Sequence, residues 1–187
     1  VYGGYVGCES LQLYYSNNPL PTSLGHNYDA DGFCANCGSG HPATHGSDGF
    51  YEIANAGQLY WFAEQVNNGE TTINGRLTAD IVVNTNVLNA NGNLNGEGEG
   101  FRTWTPIGKD EDGKRFDGIF DGQGYTISGL YINDRKKSVV GLFSATGANS
   151  VIMNVGVVDS YFCAYQHAAG ICGSNGGTVE NCFNAAT

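Results

Sequence analysis

Three cysteines and three histidines lie within the first 45 residues, and their spacing is that of a metal site. Cys34 and Cys37 form a Cys-x2-Cys pair that Gly38 follows. Two thiolates in such a pair reach one ion from a tight turn, and the glycine lets the backbone turn back. We therefore predict a closed, tetrahedral zinc site of the structural type. Its predicted ligands are Cys8, His26, Cys34 and Cys37, with His41 as the reserve ligand.

Two other states of these cysteines remain open at the level of sequence. Cys8 could form a disulfide with Cys34 or Cys37, as cysteines in secreted proteins often do. The thiols could also stay free. A thioredoxin-like redox role is not favoured, because that motif should open a helix and Gly-Ser-Gly-His-Pro follows Cys37 instead.

A second group of reactive side chains consists of carboxylates close together in sequence. They are Asp110, Glu111, Asp112, Asp117 and Asp121. Enzymes that cleave polysaccharides use paired carboxylates as acid and base. Asp117 and Asp121 each precede a glycine, which is ordinary turn chemistry, and the others lie beside lysine and arginine. We expect no catalytic residues here. Calcium is not expected either, since Asp-x-Asp-Gly at 29–32 lacks the rest of a calcium loop.

The composition narrows the class of partner. The 187 residues carry a formal net charge of −10 and include 29 glycines, while only 14% are charged. A chain without a basic stripe does not neutralise phosphates, so nucleic acid is not an expected partner. No apolar run approaches the roughly 20 residues of a membrane span. We therefore expect a turn-rich, glycine-rich protein and no membrane insertion of this chain.

Repeats organise the second half of the chain. Gly-apolar-bulky triplets begin at Gly118, Gly141 and Gly170, so related positions recur about every 23 to 29 residues. Units this short cannot bury an apolar face alone and must stack. Upstream, apolar residues at i, i+3, i+4 and i+7 predict a helix over about 55–67, with Asn55 as its N-cap. We expect this helix to cap the stack.

The run from Asp48 to Val157 resembles the N-terminal portion of GLUG-repeat proteins. Its motifs include DGFYEIANAGQLYWFAEQVNNG, WTPIG and FDGIFDGQGYTISGLYI, and 168–187 resembles a GLUG repeat itself. These are secreted or cell-wall proteins of Gram-positive gut bacteria, some of them adhesins and some beside a peptidase domain. The resemblance implies an all-β, right-handed parallel β-helix and a surface role without catalysis.

That fold predicts ladders of stacked side chains. One joins Ile127, Ile152 and Val179, a second joins Leu130, Val155 and Cys182, and a third joins Phe120, Phe143 and Cys172. Cys172 and Cys182 are therefore expected as buried thiols, whereas Cys163 is expected at a turn or strand edge.

The organisation follows from these features. We expect a Tyr/Gly-rich strand segment and Cys/His knuckle over 1–48, and the helix plus repeats over 49–187, cut at the C-terminus. The expected function is a non-catalytic, extracellular or cell-wall-attached module that presents a repeat face or acts as a rod. Its partners would be glycans or host or cell-surface proteins. The alternatives are a fragment of a carbohydrate-active β-helix enzyme, or a spacer beside a peptidase domain.

Overall fold

The computed structural model describes residues 26–110 and 113–187. Cys8, Glu111 and Asp112 lie outside the described residues. Within these ranges the chain forms one helix, α1 (Ala56–Asn68), and sixteen short strands. The strands are β1 (Thr44–His45), β2 (Phe50–Ile53), β3 (Asn74–Leu77), β4 (Ile81–Val82), β5 (Ile119–Asp121), β6 (Thr126–Ser128), β7 (Tyr131–Asn133), β8 (Val139–Val140), β9 (Phe143–Ala145), β10 (Val151–Met153), β11 (Gly156–Val158), β12 (Tyr161–Cys163), β13 (His167–Ala168), β14 (Cys172–Ser174), β15 (Thr178–Glu180) and β16 (Phe183–Ala185).

The predicted fold class, a single all-β right-handed parallel β-helix, is wrong for this structure. The described strands assort into several small sheets instead. One has six strands in the order β1-β2-β3-β5-β10-β15, one has four in the order β16-β11-β6-β4, and three have two strands each. The six-stranded sheet is mixed, because β1 pairs antiparallel with β2 whereas the other pairs are parallel. Strands of two to four residues, interrupted by turns, keep these sheets small and separate.

The pairing register corrects the predicted ladders. Ile152 pairs with Val179, and Phe143 pairs with Cys172, as the repeats indicate. Ile127, however, pairs with Val157 rather than Ile152. Phe120 pairs with Ile152 rather than Phe143. Ile127 lies in the four-stranded sheet and Ile152 in the six-stranded one, and Phe120 and Phe143 likewise lie in different sheets. The glycine triplets therefore mark strands that belong to different sheets.

Helix α1 forms where the apolar spacing predicted it. The Asn55 side chain accepts a hydrogen bond of 2.9 Å from the Gln58 N–H. In return the Gln58 side chain accepts one of 2.7 Å from the N–H of Ala54, the residue before the cap, in an arrangement similar to a capping box. The helix ends at Gly69, whose φ of +124° suits glycine. No helix among the described residues is both long and apolar enough to cross a membrane.

The core joins the helix to the sheets. The apolar face of α1 is fully buried at Leu59 and Phe62, and the Phe62 ring lies 5.9 Å from that of Phe120 on β5. Phe120 in turn lies 5.3 Å from Phe143 on β9. Trp104 is also fully buried, and its indole N–H donates to the Gly141 carbonyl at 3.1 Å. One continuous core therefore holds the helix, the loop around Trp104 and the repeat strands together.

Candidate metal centre

The Cys-x2-Cys pair lies in a tight loop between two short antiparallel contacts. Tyr28 bridges to Cys34, and Phe33 bridges to Gly40. The Cys34 N–H donates to the Ser39 carbonyl at 2.8 Å, and the Gly38 N–H donates to the Cys34 carbonyl at 2.7 Å. Gly38 has a φ of +75°, so the turn needs a residue that tolerates the left-handed region. This is the return turn that the glycine after Cys37 predicted.

Three of the four predicted ligands come together in this loop. His26, Cys34 and Cys37 each offer one ligand atom, and these atoms all lie within 4.8 Å of one another. His26 Nδ1 is 3.6 Å from Cys37 Sγ. Cys34 is buried, whereas Cys37 is exposed. The three side chains could hold a metal ion. The fourth predicted ligand, Cys8, lies outside the described residues.

The charge of the Cys34 sulfur suits a bound cation. Burial by itself raises the pKa of the Cys34 thiol, but hydrogen bonds from the Asn36 and Cys37 backbone N–H groups and from His26 outweigh it and bring that pKa to about 5. The pKa of His26 is raised, chiefly by its hydrogen bond to Cys34, so metal binding would have to displace a proton from this imidazole. Thiolates are the form of cysteine that binds metals. The loop thus favours the Cys34 thiolate through its own backbone.

His41, the predicted reserve ligand, is not part of this three-atom group. Its ring packs edge-on against Tyr28 at 4.5 Å, and its Nδ1 lies 2.7 Å from the Pro42 carbonyl. Tyr28 also stacks on His26 at 5.3 Å. Tyr28 therefore lies between the two histidines, a role that sequence reasoning missed. In the sequence, Tyr28 is distinguished only as an aromatic residue two positions after the candidate ligand His26.

Sequence reasoning also missed Ser39. Its Oγ lies 3.3 Å from Cys37 Sγ, within hydrogen-bonding distance. A hydroxyl beside a ligand sulfur fixes the direction in which the sulfur points. The sequence offered only its position two residues after Cys37.

The loop is fixed to the start of helix α1. The Gly57 N–H donates to the Asp31 carbonyl at 2.7 Å. Gly57 approaches Gly32 so closely that a Cβ on Gly57 would lie 1.9 Å from the Gly32 carbonyl oxygen. Phe33 is buried, and its ring packs edge-on against Tyr60 of the helix at 5.2 Å. The ligand-bearing loop is thus built onto the same core as the repeats.

The carboxylates that sequence analysis considered for catalysis bind structural donors. Asp117 accepts hydrogen bonds of 2.9 Å from both the backbone and the side-chain N–H groups of Asn149. These bonds lower the pKa of Asp117. Asp121 accepts from the Gln123 N–H at 2.9 Å and from the Asn154 side chain at 3.0 Å. Asp110 pairs with Arg115.

Asp29, at the start of the Asp-x-Asp-Gly segment, holds a turn. Its side chain accepts from the backbone N–H groups of Asp31 at 3.0 Å and of Phe33 at 2.9 Å. This is a side-chain-stabilised turn, the ordinary use of aspartate in a loop.

The remaining cysteines of the described chain are half-buried and not disulfide-bonded. Burial raises the pKa of Cys172 and of Cys182. Thiols with raised pKa values react slowly, because the thiolate is the nucleophile. These two therefore pack beside the core, although less deeply than their repeat positions predicted.

Comparison with known proteins gives two partial matches. A protein described as a Gly-rich membrane protein from Evansella cellulosilytica is 32% identical over 81 residues, which is 42% of this chain and 9% of that protein. Halomucin from Haloquadratum walsbyi is 34% identical over 116 residues, which is 62% of this chain and 1% of halomucin. The chain thus spans only a small part of the relatives it matches. No family model matches the chain, and no solved structure matches it.

Proposed function

We propose that this chain is a non-catalytic, extracellular surface module, adhesin-like or structural, whose N-terminal loop is held by a structural zinc ion. The observation that carries the proposal is the geometry of His26, Cys34 and Cys37. Zinc bonds of about 2.3 Å to sulfur and 2.05 Å to nitrogen, at a tetrahedral angle, place the two ligand atoms about 3.6 Å apart. His26 Nδ1 and Cys37 Sγ are 3.6 Å apart.

The assignment of a structural rather than a catalytic ion depends on the fourth ligand. With a fourth protein ligand the site is closed and structural, whereas two thiolates and one imidazole alone would leave one position for water or substrate, as in catalytic sites. In this proposal Cys8 supplies the fourth ligand. The Cys34 sulfur already accepts hydrogen bonds from the Asn36 and Cys37 backbone N–H groups, which orient it before the metal binds. The role of the ion is to fix residues 26–43 against helix α1.

The surface role draws on the two partial matches. One matched protein is described as a Gly-rich membrane protein and the other as halomucin, which supports association with the cell envelope. The glycine-rich, acidic composition fits a soluble surface segment. Membership of the GLUG-repeat proteins is part of this proposal. Glycans and surface proteins are its expected partners, and a spacer role beside a peptidase domain is compatible with it.

A carbohydrate-active enzyme is the alternative. A glycosidase needs one carboxylic acid with a raised pKa. Asp117 shows the opposite direction, since its hydrogen bonds with Asn149 lower its pKa. Asp121 is held by Gln123 and Asn154. Release of reducing ends from a polysaccharide panel, abolished by Asp121→Asn, would establish the enzyme instead.

The zinc site can be tested by comparing two cysteine substitutions. Cys37→Ser removes a ligand, whereas Cys163→Ser changes a cysteine on β12, away from the loop. We expect about one equivalent of zinc in the wild type and in Cys163→Ser, and under about half an equivalent in Cys37→Ser, because a lost thiolate opens the site. Elemental analysis of purified protein measures this directly.

Chelation gives the second readout. A strong chelator should lower the thermal midpoint of the wild type and of Cys163→Ser, but not that of Cys37→Ser, because binding energy at such a site is folding energy. Wild-type protein that carries no zinc and is unaffected by the chelator would refute the site. Zinc retained by Cys37→Ser would refute the ligand assignment.

A further inference from the structure

Outside the candidate metal centre, a cavity of about 520 Å³ lies between two loops. One loop runs from Thr105 to Asp110, and the other runs from Lys136 to Val139. Ser144 and Gln166 complete the lining. Cavities of 300–1,000 Å³ are of the size that holds small ligands.

The cavity concentrates positive charge on an acidic protein. Three of the four lysines in the chain line it, namely Lys109, Lys136 and Lys137, although the formal net charge is −10. The carboxylate in the lining, Asp110, is paired with Arg115. Within the cavity wall, three lysines therefore accompany one carboxylate that is already paired. Such a site attracts an anion that the rest of the surface repels.

The backbone that carries the lysines is held by hydrogen bonds. Asp134 fixes the Lys136–Lys137 turn, because its side chain accepts from the Lys136 N–H at 2.9 Å and its carbonyl accepts from the Lys137 N–H at 3.1 Å. The Lys137 carbonyl accepts from the Tyr165 N–H at 2.8 Å. Across the cavity, the Lys109 N–H donates to the Lys114 carbonyl at 2.8 Å. Only side chains need to be ordered on binding, which lowers its entropic cost.

The rest of the lining selects among anions. Thr105, Ser138, Ser144 and Gln166 offer hydroxyl and amide groups, which suit the hydroxyls of a sugar. No aromatic side chain belongs to the cavity wall as the structure describes it, so a nucleobase finds no stacking surface. A ligand with one or two anionic groups and several hydroxyls matches this lining.

We propose that this cavity binds an acidic saccharide unit, one that carries a carboxylate or a sulfate ester. The lysines contact the anionic group, and the hydroxyl and amide side chains contact the sugar ring. This proposal rests on the proposed surface role in one respect, namely that a polysaccharide at the cell surface is the source of the ligand. Zinc takes no part in it.

The test uses the full chain and four probes in isothermal titration calorimetry. Trigalacturonate carries carboxylates, a heparin tetrasaccharide carries sulfates, maltotriose is uncharged, and inorganic phosphate is an anion without a sugar. The double variant Lys136→Gln/Lys137→Gln removes two charges from the cavity. Lys114→Gln is the matched control, because Lys114 is the one lysine that does not line the cavity.

We expect at least one acidic oligosaccharide to bind more tightly than maltotriose and phosphate, with an affinity that falls as salt rises. Each lysine removed should weaken binding by about threefold to tenfold, so the double variant should lose roughly tenfold or more. Lys114→Gln should bind within about twofold of the wild type.

Several results would overturn the site. One is that no acidic oligosaccharide binds, and another is that maltotriose or phosphate binds as tightly as the acidic oligosaccharides. A third is that Lys114→Gln loses as much affinity as the double variant. Preference for the carboxylated or the sulfated probe identifies the anionic group. The outcome is independent of the zinc test, since acidic saccharide binding can fail while zinc is retained, and the reverse also holds.

Discussion

Replacing Gly57 by alanine tests how tightly the ligand-bearing loop is joined to helix α1. In an exposed helix this change stabilises, because alanine is favoured over glycine by about 1 kcal/mol. Here the first turn of the helix faces the loop backbone. The new Cβ would lie 1.9 Å from the Gly32 carbonyl oxygen and 2.3 Å from the Gly32 carbonyl carbon.

The expected loss in the free energy of unfolding depends on which atoms must move to make room for the new Cβ. The obstructing atoms are backbone rather than a flexible side chain, so the loop must shift away from the helix. That shift weakens the 2.7 Å hydrogen bond from Gly57 to Asp31, which is worth about 1 kcal/mol. Overpacking costs a further 1–3 kcal/mol or so. After subtracting the gain in helix propensity, we expect a net loss of roughly 1–3 kcal/mol in the free energy of unfolding.

Urea unfolding followed by far-ultraviolet circular dichroism measures this loss, with zinc present at a fixed excess. Gly69→Ala is the control, because Gly69 has a φ of +124° but nothing within 4 Å of its Cβ position. It should lose roughly 1–3 kcal/mol through backbone strain alone, so zinc binding is the measurement that separates the two variants. Only Gly57→Ala should also weaken zinc binding in competition with a chromophoric chelator. An unfolding free energy for Gly57→Ala equal to or above that of the wild type would refute the close packing of loop and helix.

Two further substitutions test the core and a turn. Phe120→Ala removes a fully buried ring between Phe62 and Phe143 and should lower the free energy of unfolding in urea by about 3–5 kcal/mol. Phe183→Ala is the control and should cost much less, because the Phe183 side chain is 53% exposed. Similar losses in both variants would contradict the described core. Asp117→Asn should lower stability near neutral pH by up to about 1 kcal/mol, because the hydrogen bonds from Asn149 favour the ionised carboxylate. Since the pKa of Asp117 is lower in the folded state, its contribution is complete above the unfolded value of about 3.9 and disappears as pH falls through the folded value. Thermal unfolding from pH 2 to 7 should therefore show the two proteins converging in acid, and a constant difference would contradict this account.

The metal centre shows how far sequence reasoning reaches in a local structure. His26, Cys34 and Cys37 lie within twelve residues of one another, so a single tight loop brings them together. Spacing in the sequence was therefore enough to predict three residues that come together and could hold a metal. His41 is equally near in sequence, but packing against Tyr28 and the Pro42 carbonyl directs its ring elsewhere. No spacing pattern contains that information.

The sheets show the opposite case. The repeats predicted that Ile152 meets Val179, and they do pair. The same pattern misplaced Ile127 and Phe120, because their predicted partners Ile152 and Phe143 lie in other sheets. The turns decide which sheet a strand joins, and the apolar pattern alone does not contain that information. The separate sheets and the antiparallel β1–β2 pair likewise lay beyond the repeat pattern.

The amino-acid sequence by itself determined the features that depend on neighbours along the chain. These are the helix with its Asn55 cap, the glycine turn of the ligand loop, and the carboxylates that hold turns. Tertiary structure alone decided which distant segments meet. It placed Gly57 against Gly32, and it brought Lys109 to the same cavity as Lys136 and Lys137 from a separate loop. The physical reason is that local hydrogen bonds and φ preferences are encoded over a few residues, whereas long-range contacts depend on how the whole core packs.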